Sequence, residues 1–273
     1  DFEWTNRNLM YGAYKRTRSY FENSELASSG IPAGAELAVL EPFRKQLPAA
    51  LFTRPYAVPG TDGSGNIRNN LREATRLLAS AGWTVQGGKL VNAAGRQMSF
   101  EILLDNPLFE PHTQAFVQNL RRLGIDARIR SLPDTQQYIN RLRSFDYDMM
   151  IRVFAQSNSP GNEQVNYWSS AAAQQNDSRN YAGVQDPVVD ALVQQIVAAQ
   201  TREELVTRAR ALDRVLLWGW YVVPHWHYGA DRIAWWDRFG MPKTVPDNGV
   251  SLDYWWCDPA RSAAVDARSR SAR

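Results

Sequence analysis

Between Met98 and Val153 the chain reads strand, helix, strand, helix, strand, and no other feature of the sequence restricts the fold as strongly. Met98, Phe100, Ile102 and Leu104 alternate with Ser99, Glu101 and Leu103, the period-two pattern of a strand. A helical stripe of Phe116, Leu120 and Leu123 follows over 113–123 and stops at Gly124. Ile125 to Ile129 alternates again. A helix is predicted over 135–144 and a third strand over 147–153. Strands joined through helices form a parallel or mixed sheet with right-handed crossovers. The expectation is an α/β fold, a mixed β-sheet flanked by helices.

Outside this block the signals are punctuation and caps. Residues 1–22 are predicted as a helix. Pro32, Pro42, Pro48, Pro55 and Pro59 make 31–65 loop-rich, because proline fixes φ and lacks the amide donor. Asn66 is placed to cap a helix striped by Leu71, Ala74, Leu77, Leu78 and Ala81, with Gly82 as its stop. Asp186-Pro187 opens a helix through 199. Thr201-Arg202-Glu203-Glu204 has capping-box spacing for another, to about Leu217. Closing strands are predicted at 222–228 and 232–236, and the small, Arg-rich tail from Ser262 is expected to be disordered.

Composition narrows the function classes. The 273 residues carry a net charge of only +3, and Arg121, Arg122, Arg128 and Arg130 lack interleaved exposed aromatics, so a nucleic-acid partner is not expected. A single cysteine, Cys257, excludes an internal disulfide or a Cys-rich zinc module. His225 and His227 sit at alternate strand positions, but no third metal ligand lies near them in sequence, so no metal or cofactor is expected. The Walker and Gly-x-Ser-x-Gly patterns are absent, and Asp62-Gly63-Ser64-Gly65 reads as a turn. No catalytic residues emerge, and an enzyme is not expected. No run approaches the roughly 18–20 apolar residues of a membrane helix. The chain opens at Asp1 without an export signal.

The polar stretch 155–183 is different. It leaves the third strand at its carboxyl end, where open α/β sheets place ligands. Arg152, Phe154, Gln156, Ser157, Asn158, Glu163, Tyr167 and Trp168, joined by Tyr181 and Trp226, form the candidate binding set. Amides, a guanidinium and rings suit recognition of amides, carboxylates and ring-bearing groups. Ten tryptophans also suit stacking on sugars, so a saccharide-binding receptor stays open as the alternative.

Asp1-Phe2-Glu3-Trp4-Thr5-Asn6, Ser19–Leu26, Tyr147–Val153, Ala211–Leu216 and Asp231–Asp237 resemble the YejA-like group of family-5 extracellular solute-binding proteins, over roughly 1–258. The resemblance implies a periplasmic-binding-protein type II-like lobe within a two-lobed clamp, of which this chain is the C-terminal half. It implies 1–30 as the end of the first lobe, 31–238 as the ligand-binding second lobe and 239–273 as the return. It further implies an oligopeptide ligand, delivery to an inner-membrane ABC permease, a missing N-terminal half of the same protein and a periplasmic location. Many relatives follow the third strand with a Trp and then an acidic residue that meets the peptide amine. Here Phe154 holds the aromatic position, and the acidic position falls on or beside Ser157. Modified or murein-derived peptides are therefore among the expected ligands, and Glu163 is the nearest carboxylate for an amine.

Overall fold

A computed structural model describes residues 1–230, 232–244 and 249–271. In chain order these hold α1 (Phe2–Leu9), β1 (Lys15–Arg16), α2 (Gly34–Leu40), α3 (Arg68–Ser80), β2 (Thr84–Gln86), β3 (Lys89–Val91), β4 (Ser99–Leu104), α4 (Glu110–Arg122), β5 (Asp126–Ser131), α5 (Thr135–Arg143) and β6 (Met149–Met150). There follow α6 (Glu163–Trp168), α7 (Pro187–Val197), α8 (Arg202–Trp218), β7 (Trp226–His227), β8 (Phe239–Gly240), β9 (Trp256–Cys257) and α9 (Pro259–Ser271). They fall into two compact units, Asp1–Trp226 and His227–Arg273.

The predicted alternation of strand and helix is present. β5, β4 and β6 lie side by side in that order, all parallel, with Ile102 opposite both Ile129 and Met149. The connection through α4 runs to one side of β4 and the connection through α5 to the other, so right-handed crossovers place the two helices on opposite faces. β4 is thereby covered on both sides, and Ile102, Leu103 and Leu104 are all buried in succession. Ile102 and Leu104 pack with Val117, Ala127 and Leu90, against Leu71, Ala74 and Leu78 of α3. Leu103 faces the other way, into Leu132, Tyr138 and Leu142. Antiparallel pairs β2–β3 and β8–β9 make the set of sheets a mixed one.

Glycine does necessary work at Gly124. Its φ is +84°, and a Cβ there would stand 2.6 Å from the Leu90 amide nitrogen, which donates to the Gly124 carbonyl. The chain thus turns out of α4 into β5 while touching the β2–β3 hairpin.

A second core is helical. Phe21, Leu26, Leu40 and Leu51 pack with Trp168 and the buried faces of α7 and α8. The two expected caps act so, Asp186 Oδ1 accepting from Val188 N and Thr201 Oγ1 from Glu204 N, and Asp134 Oδ1 adds a third by accepting from Gln137 N. From the last turns of α8, two buried neighbours reach back to the start of the chain. Asp213 accepts from Tyr20 N (2.7 Å), Ser28 N (2.8 Å) and Ser28 Oγ (2.6 Å). Arg214 donates to Glu36 Oε1 (2.6 Å) and to the carbonyls of Gly30 and Ser29. This is the physical content of the Ala211–Leu216 motif.

Burial outweighs those donors at Asp213 and pushes its carboxyl up to about 6. Between about pH 4 and 6 the folded chain therefore holds a proton that the unfolded chain has released, and stability falls as pH rises through that window. The stability gap between the wild type and Asp213→Asn is expected to shrink from pH 4 to 6 by on the order of 3 kcal/mol, then level off. Thermal melts of both proteins across pH 4–8 check it, and a constant gap would exclude the shift.

Several sequence expectations differ from the structure. The helix predicted over 1–22 ends at Leu9, because Tyr11 and Gly12 turn left-handed and the Asn6 side chain binds both N and O of Tyr14. The 31–65 stretch holds α2 as well as loops. The helix after Asn66 begins at Arg68, with Ile67 in the cap position and Asn66 Oδ1 accepting from Arg68 N at 3.4 Å. The β2–β3 hairpin, turning on Gly87-Gly88, was not anticipated. The third strand pairs only at Met149–Met150, and α6 interrupts the expected loop at 155–183. The strand expected at 222–228 is confined to Trp226–His227, and 232–236 forms none. The expected disordered tail is instead α9, because Asp258 caps it, Oδ1 accepting from Arg261 N, and Arg238 and Asp237 pair with Asp266 and Arg261. Asp231, the first residue of the last resemblance motif, and the final two residues of the tail lie outside the described residues.

Candidate ligand site

The loops that leave β4, β5 and β6 at their carboxyl ends enclose a cavity of about 490 Å³. Asp105, Asn106 and Pro107 come from the first loop, Pro133 from the second and Arg152 from the third, while Thr135, Tyr138, Ile139 and Leu142 of α5 form the remaining wall. This is where a parallel sheet whose crossovers diverge leaves a crevice. A larger cleft of about 720 Å³ lies at the opposite ends of the same strands. Most of its charges are spent locally, Arg130 excepted: Arg141 pairs with Glu101 and Asp146, Arg128 with Asp126, and Asp148 accepts from the Glu101 amide. The smaller cavity is the better candidate because it lies at the carboxyl ends of the strands, where open α/β sheets place ligands.

Arg152 is exposed there and has no carboxylate partner among the described residues. One terminal nitrogen donates to the Tyr181 hydroxyl at 3.1 Å, and the guanidinium lies over the Tyr181 ring at 4.7 Å. Tyr181 is held in turn by Tyr147, whose hydroxyl donates to its carbonyl at 2.9 Å. Burial pushes the Tyr147 phenol up to about 12, so it stays a donor at neutral pH. The Tyr138 phenol is pushed up by burial and by the charge of Asp105, with Arg152 opposing.

Phe154 begins an aromatic stack behind this wall. It lies 5.0 Å from Trp168 with planes 27° apart, and Tyr20 meets Trp168 edge-on at 4.9 Å. Trp168 is fully buried and donates from Nε1 to Gln164 Oε1, and Gln164 donates onward to Gln156 Oε1 at 2.7 Å. Tyr167 is buried beside it, its hydroxyl accepting from Arg179. Glu163 closes its own turn, both carboxylate oxygens accepting from Gly161 N. Ser157 and Asn158 are exposed; Ser157 Oγ accepts from Ser159 N, and the Asn158 carbonyl from Arg202.

Of the residues singled out in the sequence, Arg152, Phe154, Gln156, Glu163, Tyr167, Trp168 and Tyr181 are thus joined by direct contacts or short relays. Trp226 belongs to a separate aromatic cluster with Tyr14, Phe109, His112 and His225. Asp105 escaped the sequence reading, since a single loop carboxylate carries no pattern. Among the described residues no group of three or more His, Cys, Asp and Glu side chains could hold a metal ion.

Residues 1–176 match the family described as bacterial extracellular solute-binding proteins, family 5, middle. The chain belongs to this family. A probable peptide-binding protein YejA from Agrobacterium fabrum is 45% identical over 262 residues, covering 95% of this chain and 42% of its own length. The peptidoglycan-binding protein YepA of the same organism is 41% identical over 257 residues, 94% of this chain and 42% of its own. The family-5 chain therefore spans less than half the length of these curated relatives. Among solved structures, a mannohexaose-bound periplasmic oligopeptide-binding protein of an oligopeptide ABC transporter from Thermotoga maritima superposes with a TM-score of 0.56. It is 13% identical, with 83% of this chain and 38% of that one covered, and it shares the periplasmic-binding-protein α/β fold.

Proposed function

We propose that this family-5 chain supplies one jaw of a periplasmic receptor that binds oligopeptides, including modified or murein-derived ones, and hands them to an inner-membrane ABC permease. In this reading 31–238 forms the ligand-binding lobe, with 1–30 and 239–273 belonging to a first lobe that the rest of a longer protein completes. The observation that carries it is the cavity at the carboxyl ends of the three strands, with the unpaired Arg152 guanidinium on its wall. Names of the relatives support peptide-derived ligands. No covalent step is assigned; binding and closure are the work.

Arg152 meets a ligand carboxylate through two parallel N–H donors, with Tyr181 and Tyr147 holding it in place. Phe154 sets the floor of the site, and Trp168 and Tyr167 act from behind it. Gln156 and the exposed Ser157, Asn158 and Glu163 supply polar edges when the jaws close, and Trp226 an apolar surface. Closure removes water, so each correctly placed hydrogen bond gains weight.

Arg152→Ala is expected to weaken peptide binding about 10- to 100-fold, the range for a charge-assisted hydrogen bond. Native mass spectrometry of the full-length protein against mixed peptides and oligosaccharides checks this. Unchanged peptide affinity removes Arg152 from the site. Exclusive binding of sugars overturns the peptide reading and favours the saccharide receptor.

A further inference from the structure

The arginines singled out in the sequence, Arg121, Arg122, Arg128 and Arg130, take no part in the ligand cavity, and all four are exposed. Two end α4 and two belong to β5, which is an edge of the parallel sheet, since the strand order is β5, β4, β6. One carboxylate, Asp126, lies between Arg121 and Arg130 in sequence, and it is spent on Arg128 at 2.6 Å. Arg130 stands on the wall of the larger cleft and makes no hydrogen bond or ion pair with another described residue.

The main chain of this edge is open as well. Asp126 N donates to Met98 O and Leu132 N to Leu104 O at either end of the ladder. Arg128 and Arg130, at the same alternation, therefore turn their N–H and C=O groups toward β4, while Ala127, Ile129 and Ser131 turn theirs away. The Ala127 carbonyl accepts from Arg121 Nη2 at 3.5 Å, from outside the sheet. The main-chain groups of Ile129 and Ser131 have no such partner among the described residues. Both residues are only half-buried. β5 pairs one-to-one over six residues without proline or bulge, so its free side is an unbroken template for another strand.

Charge decides what this template accepts. A second copy docked edge to edge would set Arg121, Arg128 and Arg130 against the same groups, and like charges opposed on adjoining strands destabilise pairing. A segment rich in aspartate or glutamate meets them favourably instead. We propose that the outer edge of β5 takes up an acidic, extended segment of a partner protein as an added strand. Main-chain bonds to Ile129 and Ser131 supply the pairing, and acidic side chains of the segment meet Arg130 and Arg121. None of the walls of the ligand cavity comes from β5, so the inference is independent of the peptide reading.

The test uses the full-length protein and two short synthetic peptides, one alternating valine with glutamate and one alternating valine with lysine. Hydrogen exchange is followed residue by residue by mass spectrometry with fragmentation. The glutamate peptide is expected to slow exchange at the Ile129 and Ser131 amides by at least about tenfold, while the Arg128 and Arg130 amides, already bonded to β4, do not change. A peptide held in the ligand cavity covers neither outward amide, so the two sites are told apart. Arg130→Glu should weaken the effect of the glutamate peptide about fivefold and let the lysine peptide protect the same two amides. Arg130 is exposed and unbonded, so this variant should melt with the wild type. Unaltered exchange at Ile129 and Ser131 under a large excess of the glutamate peptide overturns the inference, and so does equal protection of the wild type by the lysine peptide. Protection that appears without peptide as protein concentration rises gives the edge to a second copy and overturns it too.

Discussion

Arg214→Ala is expected to lower the unfolding free energy by about 3–5 kcal/mol, the range for breaking a buried ion pair from one side. The side chain is 1% exposed and its partner Glu36 only 13%. Truncation leaves the Glu36 carboxylate and the carbonyls of Ser29 and Gly30 without their donors in a site that water does not reach freely. Replacing both members, as in Arg214→Met with Glu36→Gln, should cost less than the two single changes summed, because no orphaned charge remains. Urea unfolding of the four proteins gives the coupling directly. A loss below about 1 kcal/mol in Arg214→Ala would show that solvent enters and replaces the guanidinium.

Trp168→Ala should be comparably severe, at about 3–5 kcal/mol. The indole is fully buried, stacks on Phe154, meets Tyr20 edge-on and donates to Gln164. Its removal opens a cavity and strands the Gln164 carbonyl oxygen. Trp168→Phe retains most of the ring area and should recover more than half of the loss. Thermal melts decide the point: for a unit of this size the alanine variant should melt on the order of 10 °C lower. Near-wild-type melting would mean that the ring faces the ligand rather than the core.

What the sequence disclosed follows from how local each signal is. The three parallel strands were legible because apolar alternation and the stops at Gly124 and Ser144 act over a few residues. The caps at Asp186 and Thr201 were legible for the same reason. α9 was missed although Asp258-Pro259 repeats the Asp186-Pro187 signal, because its weak apolar stripe drew attention to composition instead. The helix over 1–22 was overextended because the Asn6 side chain ends it through a contact eight residues away. Arg152 was found because it sits at the end of a recognisable strand. Asp105 was not, since only the fold brings it to the same cavity as Arg152, 47 positions further along the chain.

The reach of Asp213 and Arg214 back to the opening residues sets an order on biosynthesis. Their partners at Tyr20, Ser28, Ser29, Gly30 and Glu36 precede them by 178 to 193 positions. A ribosome adding about 5–20 residues per second leaves that early segment without its anchors for roughly 10–40 s. During this interval Phe21, Leu26 and Leu40, all buried in the finished core, have no α8 to cover them. The strands between Ser99 and Met150 close locally and need not wait. The emerging chain thus assembles the β4–β6 sheet early and secures residues 20–36 only when α8 arrives.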